Sequence, residues 1–123
     1  MIKLKIMKTT AIIEKGKDGT YGIYSDRLKS VVHASGDTVA EAKANFEEML
    51  QEARGIADEI SGVPNELTNV VFEYKYDMAS MFNYFNWINV SKLAEGLGVT
   101  PSLMRYYKEL CVSGARALLK ATI

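Results

Sequence analysis

Residues 8–14 (Lys-Thr-Thr-Ala-Ile-Ile-Glu) are rich in β-branched side chains, the composition of a half-buried strand. Gly16-Lys17-Asp18-Gly19 follows, and its Asp-Gly step favours a hairpin into a second strand. There Tyr21 and Ile23 share one face, with Gly22 and Tyr24 on the other. Leu28 to Ala34 predicts a third strand. From Thr38 the period changes. Val39, Ala42, Phe46, Met49, Leu50, Ala53, Ile56, Ala57 and Ile60 recur at spacings of three and four, the stripe of an amphipathic helix over 38–60. Thr38 with Glu41 fits a capping box, while Lys43 with Glu47 and Arg54 with Asp58 sit four apart on the wet side. Ser61-Gly62-Val63-Pro64-Asn65 ends this helix. Val70, Phe72, Tyr74 and Tyr76 then alternate with Val71, Glu73 and Lys75, as a fourth strand does. One helix on one face of a small antiparallel sheet, in the order strand-strand-strand-helix-strand, is an α+β arrangement over residues 1–76.

After Tyr76 the apolar period lengthens to between three and four, predicting short helices over 78–86, 90–97, 101–110 and 113–121. A second, all-α unit over 77–123 therefore begins near Asp77 with almost no linker.

Composition narrows the function classes. With 123 residues, 48% apolar and 24% charged, the chain can bury a core. Its single cysteine, Cys111, forms no disulfide within the chain, and the first residues alternate lysine with apolar types rather than forming a signal peptide. No apolar run approaches the roughly 20 residues of a membrane span. A cytoplasmic protein is expected, with no membrane partner. The 15 basic and 15 acidic residues balance overall but not locally. Residues 1–76 hold 10 Lys/Arg against 12 Asp/Glu, and residues 77–123 hold 5 against 3. Phosphate binding is driven by cations, so any nucleic-acid contact is expected in the second half.

Residues 90–109 carry the most specific pattern. A helix-turn-helix needs a small residue where its helices meet, which Ala94 supplies, and a glycine four residues later, which is Gly98. Leu93, Leu97, Val99, Met104 and Tyr107 fall on the packing faces, Thr100 suits an N-cap and Pro101 the first helical position. On this reading the helix from Pro101 to Leu110 enters the major groove of operator DNA. Ser102 and Arg105 face base edges, and Thr100, Tyr106 and Lys108 anchor to phosphates. The same spacing also suits a helical packing or dimerisation module.

Elsewhere the chemistry is sparse. His33 lies in a predicted strand and reads as a structural or surface residue. One Cys and one His make no metal cluster, Cys111 reads as buried and inert, and Glu47, Glu48 and Glu52 read as a solvated helix face. No phosphate-cradling glycine loop or nucleophile elbow is present, so no catalytic residue, metal or cofactor is expected and the chain is not expected to be an enzyme. Met78, Met81, Phe82, Tyr84, Phe85 and Trp87 form an aromatic and methionine cluster, read as helical core or as a dimer contact.

Asp18-Gly19-Thr20-Tyr21, followed by Gly36-Asp37-Thr38-Val39-Ala40-Glu41-Ala42 opening a helix, resembles the HicB-type antitoxins of toxin–antitoxin systems. Gly98-Val99-Thr100-Pro101-Ser102-Leu103-Met104-Arg105-Tyr106-Tyr107 looks like the helix-turn-helix of many members. The resemblance implies a partial double-stranded-RNA-binding-like N-terminal domain and a DNA-binding C-terminal domain. It implies an antitoxin that neutralises a small HicA-type mRNA-cleaving toxin and represses its own operon as a homodimer or tetramer. Ser25-Asp26-Arg27-Leu28-Lys29-Ser30 departs from the proline- and glycine-containing segment that family members carry there. The chain stops at Ile123 inside the last predicted helix, where members run on, which implies a truncated C-terminus, and Met7 is an alternative start. The net −2 of residues 1–76 suits a basic toxin. The alternative is a free-standing regulator whose N-terminal half dimerises or senses a ligand.

Overall fold

The computed structural model describes residues 7–26, 28, 32–59, 70–84 and 90–121. It is a small α+β protein. Among the described residues five strands, β1 (Met7–Lys15), β2 (Tyr21–Ser25), β3 (His33–Gly36), β4 (Val70–Asp77) and β5 (Leu118–Lys120), form one sheet in the order β3-β2-β1-β4-β5. The same residues form four helices: α1 (Val39–Glu59), α2 (Met78–Tyr84), α3 (Val90–Leu97) and α4 (Pro101–Val112).

The sheet is mixed, not purely antiparallel. β1 pairs antiparallel with β2, and β2 with β3, but β1 and β4 run parallel, with Met7 opposite Val70 and Ile13 opposite Tyr76. The cause is connectivity. Two hairpin-like reversals leave β3 running with β1, and α1 then carries the chain back along the sheet, so β4 enters from the end at which β1 began.

α1 buries one stripe on one sheet face. Ala42 and Phe46 are fully buried, and Leu50 nearly so, against Ala11, Ile13, Ile23, Val32 and Ala34. Phe46 meets Phe72 and Tyr74 edge-on, with centroids 5.3 and 6.0 Å away. Met49, expected on this stripe, is 44% exposed because it lies on the flank of the helix beside the β3 edge. At the start of α1 the Thr38 hydroxyl accepts from the Glu41 N–H at 3.1 Å. Gly36 is where the strand passes the helix: a Cβ there would lie 2.6 Å from the Ala42 nitrogen. The side chains of Ile56, Ala57 and Asp58, and all of Ile60 to Asn65, lie outside the described residues.

β3 begins later than the predicted Leu28. Ser25 closes the loop ahead of it, donating its N–H to the Val32 carbonyl at 2.9 Å and accepting the Val32 N–H on its hydroxyl at 2.9 Å. Leu28 still packs on the α1 core.

The predicted helix over 113–121 is not formed, so the C-terminal half is not all-α. α4 ends at Val112 with Ser113 as its cap, and Gly114, at φ +88°, turns the chain away; its N–H donates to the Cys111 carbonyl, and the Ala115 N–H to that of Leu110. The chain then extends, and β5 pairs antiparallel with β4, Leu119 opposite Tyr76. Leu119 and Ala117 join Met78, Met81, Ala94 and Met104 in a second buried cluster, which touches the first through Tyr21 and Tyr76. Of the predicted aromatic and methionine cluster, Met78, Met81 and Phe82 pack here; the Tyr84 side chain, Phe85 and Trp87 lie outside the described residues. No helix among the described residues is long and apolar enough to cross a membrane.

Candidate nucleic-acid interface

α3 and α4 meet at a turn built by local hydrogen bonding. The Gly98 N–H donates to the Glu95 carbonyl at 3.2 Å and the Val99 N–H to that of Ala94 at 3.0 Å, the paired bonds of a glycine helix stop. Gly98 has φ +72° and no atom within 4 Å of where a Cβ would stand, so its conformation, rather than crowding, calls for glycine there. Thr100 then caps α4: its hydroxyl accepts from the Leu103 N–H at 3.2 Å, with Pro101 opening the helix. Ala94 and Met104 are fully buried, with Leu93, Leu97, Val99 and Tyr107 packed around them.

This packing fixes what α4 turns outward. Thr100, Ser102, Arg105, Tyr106 and Lys108 are all exposed. Ser102, Arg105 and Tyr106 stand three and four apart on one outer face. Lys108 sits at the flank, lining a cavity of about 350 Å³ with Ala79, Phe82 and Asn83 of α2. Thr100 lies at the entrance to the helix, its hydroxyl already accepting the cap bond. Glu109 shares a surface depression with Arg105, Lys108 and Val112.

Charge is distributed less simply than counting suggests. Arg116 pairs with Asp26 at 3.6 Å and Lys120 with Glu73 at 3.5 Å, so two C-terminal cations are engaged by acids of the sheet region. Lys92, Arg105 and Lys108 have no ion-pair partner among the described residues. They are the cations α3 and α4 offer to a polyanion. Cys111 lies partly buried beside Lys108, and burial pushes its thiol above the ordinary range.

Several contributors escape a linear reading. Val112, 82% exposed and bordering the same depression as Arg105, adds apolar surface to α4 that its place in the sequence does not signal. Asn83 of α2 stands beside Lys108, a neighbour that no sequence spacing signals. Elsewhere on the surface, α1 exposes Glu41, Glu48 and Glu52. Glu47, also exposed, accepts the Tyr74 hydroxyl at 3.3 Å, and Tyr74 is pushed up to about 12 by burial and by that carboxylate. His33 is exposed on the β3 edge.

No protein family, no curated protein and no solved structure gives a match to this chain.

Proposed function

We propose that the chain is a DNA-binding antitoxin that represses its own operon, not an enzyme. In this reading α3, the Gly98 turn and α4 act as a helix-turn-helix, with Arg105 and Ser102 reading base edges and Thr100, Tyr106 and Lys108 holding phosphates. The observation that carries it is the α3–α4 unit itself: a capped helix following a glycine stop, its inner side packed by Ala94 and Met104, its outer side presenting Arg105 and Lys108 without ion-pair partners among the described residues. The exposed carboxylates of α1 support a basic partner, a small HicA-type toxin, docking on that helix. A two-fold homodimer or a tetramer fits a two-fold operator, and the cytoplasm is the natural site for both tasks.

The test is to look beside the gene for an open reading frame encoding a small basic protein and to co-express the two. Growth rescued only in the presence of this protein, together with a co-purifying complex, is the expected result. Neither toxicity nor a complex, with DNA binding intact, would leave the free-standing regulator instead.

A further inference from the structure

The groove beside the β1–β2 hairpin belongs to no part of the interface described so far. It is a cavity of about 530 Å³ lined by Lys15, Gly16, Lys17, Ser80 and Asn83. Asn83 also lines the cavity between α2 and α4, where Lys108 lies, and Lys108 in turn borders the depression that holds Arg105. Lys17, Asn83, Lys108 and Arg105 thus follow one another along a continuous surface. No carboxylate appears among the described residues lining its first two segments.

The row is held on a stiff frame. The hairpin turn is closed by the Gly16 N–H to the Thr20 carbonyl at 2.8 Å and the Gly19 N–H to the Gly16 carbonyl at 3.1 Å. Asp18, next to the exposed Lys17, has its Oδ1 occupied by the Thr20 N–H at 3.0 Å and the Thr20 hydroxyl at 2.7 Å. α2 is tied to the hairpin through Ser80, whose hydroxyl accepts the Lys15 N–H at 3.0 Å and donates to the Asp77 carbonyl at 2.8 Å. Cations and amide donors fixed beside a recognition helix are the groups that hold a duplex backbone and set its register.

We propose that this hairpin groove is a second phosphate-binding element of the DNA interface, in which Lys17 and Asn83 hold the backbone flanking the segment that α4 reads. The inference rests on the DNA-binding reading and adds to it a contribution from the N-terminal sheet. Each phosphate neutralised adds about 0.9 to the salt slope of binding, and that slope is what the experiment reads.

The full chain is titrated against a labelled random-sequence duplex of about 20 base pairs, from 50 to 200 mM KCl, by fluorescence anisotropy. Lys17→Gln is expected to make the slope shallower by about 0.9, so that affinity falls about three- to fourfold less across that range. Asn83→Lys, which adds a cation in the groove, is expected to steepen it by a similar amount. Lys8→Gln, at the strand β1 residue paired with Glu73, is the equal-charge control and is expected to leave the slope unchanged. Wild-type slope in both Lys17→Gln and Asn83→Lys would overturn the groove while leaving the α4 interface standing. An equal effect from Lys8→Gln would overturn it as mere net charge. A wild-type chain that does not bind the duplex at 50 mM KCl would overturn the DNA-binding reading and the groove together.

Discussion

Two glycines show how differently a missing side chain can matter. At Gly36 the obstacle is space, since a Cβ would stand 2.6 Å from the Ala42 nitrogen. At Gly98 it is the backbone, at φ +72° in open surroundings. Gly98→Ala is expected to cost about 1–2 kcal/mol, the strain of a left-handed alanine, with Gly98→Asn milder. Gly36→Ala is expected to cost about 2–3 kcal/mol because α1 must shift off the sheet. Urea denaturation of the three variants checks the order. Tyr74 makes a pH prediction. Its phenol is raised from 10.0 to about 12 by burial and by Glu47, so above pH 10 the unfolded chain releases a proton that the folded chain retains. Stability therefore falls as pH rises through that window. Denaturation midpoints at pH 9 and pH 11 should show this loss, and Tyr74→Phe should reduce it.

At the level of elements, β5 is the least expected and one of the most consequential. Ala117, Leu118, Leu119 and Lys120 are ordinary helix formers, and their spacing is compatible with a helix. The glycine stop at Gly114 and the unpaired edge of β4 override that preference, and Leu119 becomes 8% exposed in the second core. Leu119→Ala is expected to destabilise the protein by about 2–3 kcal/mol, whereas Lys120→Ala, whose side chain is 67% exposed, should cost little. Thermal unfolding of both variants separates packing from charge. α1, β4, α3 and α4 were legible beforehand because each carries its own period and boundary chemistry: the Phe46 stripe, the Val70–Tyr76 alternation, the Thr100 cap. β3 was displaced because its start depends on Ser25 pairing with Val32 across a loop, through its backbone N–H and its hydroxyl, which strand composition does not signal.

At the scale of the molecule, exposed charge of both signs is spread over the described residues, with Glu95 and Glu109 on the same helices as Lys92, Arg105 and Lys108. Glu41, Glu48 and Glu52 stand out from α1, while Lys17, Lys108 and Arg105 follow the hairpin, α2 and α4. The proposed function assigns its two partners of opposite charge to separate elements, DNA to α4 and a basic protein to the carboxylates of α1. Arg105→Ala is expected to weaken operator binding by roughly tenfold, the scale of a lost base contact, while leaving toxin neutralisation intact. Glu48→Lys with Glu52→Lys should do the reverse. Gel-shift and growth-rescue assays on the same variants would sink this division between α4 and α1 if both activities fell together. The chain by itself determined the α+β class, the long helix and its buried stripe, the Gly98–Thr100 turn and the outward set on α4, because periodicity, caps and turn residues act locally. Only the tertiary structure decided the parallel β1–β4 pairing, the strand at the C-terminal end and the row joining Lys17 to Lys108. Those depend on where the chain returns in space, and hydrogen bonding and burial between segments far apart in sequence leave no period to read.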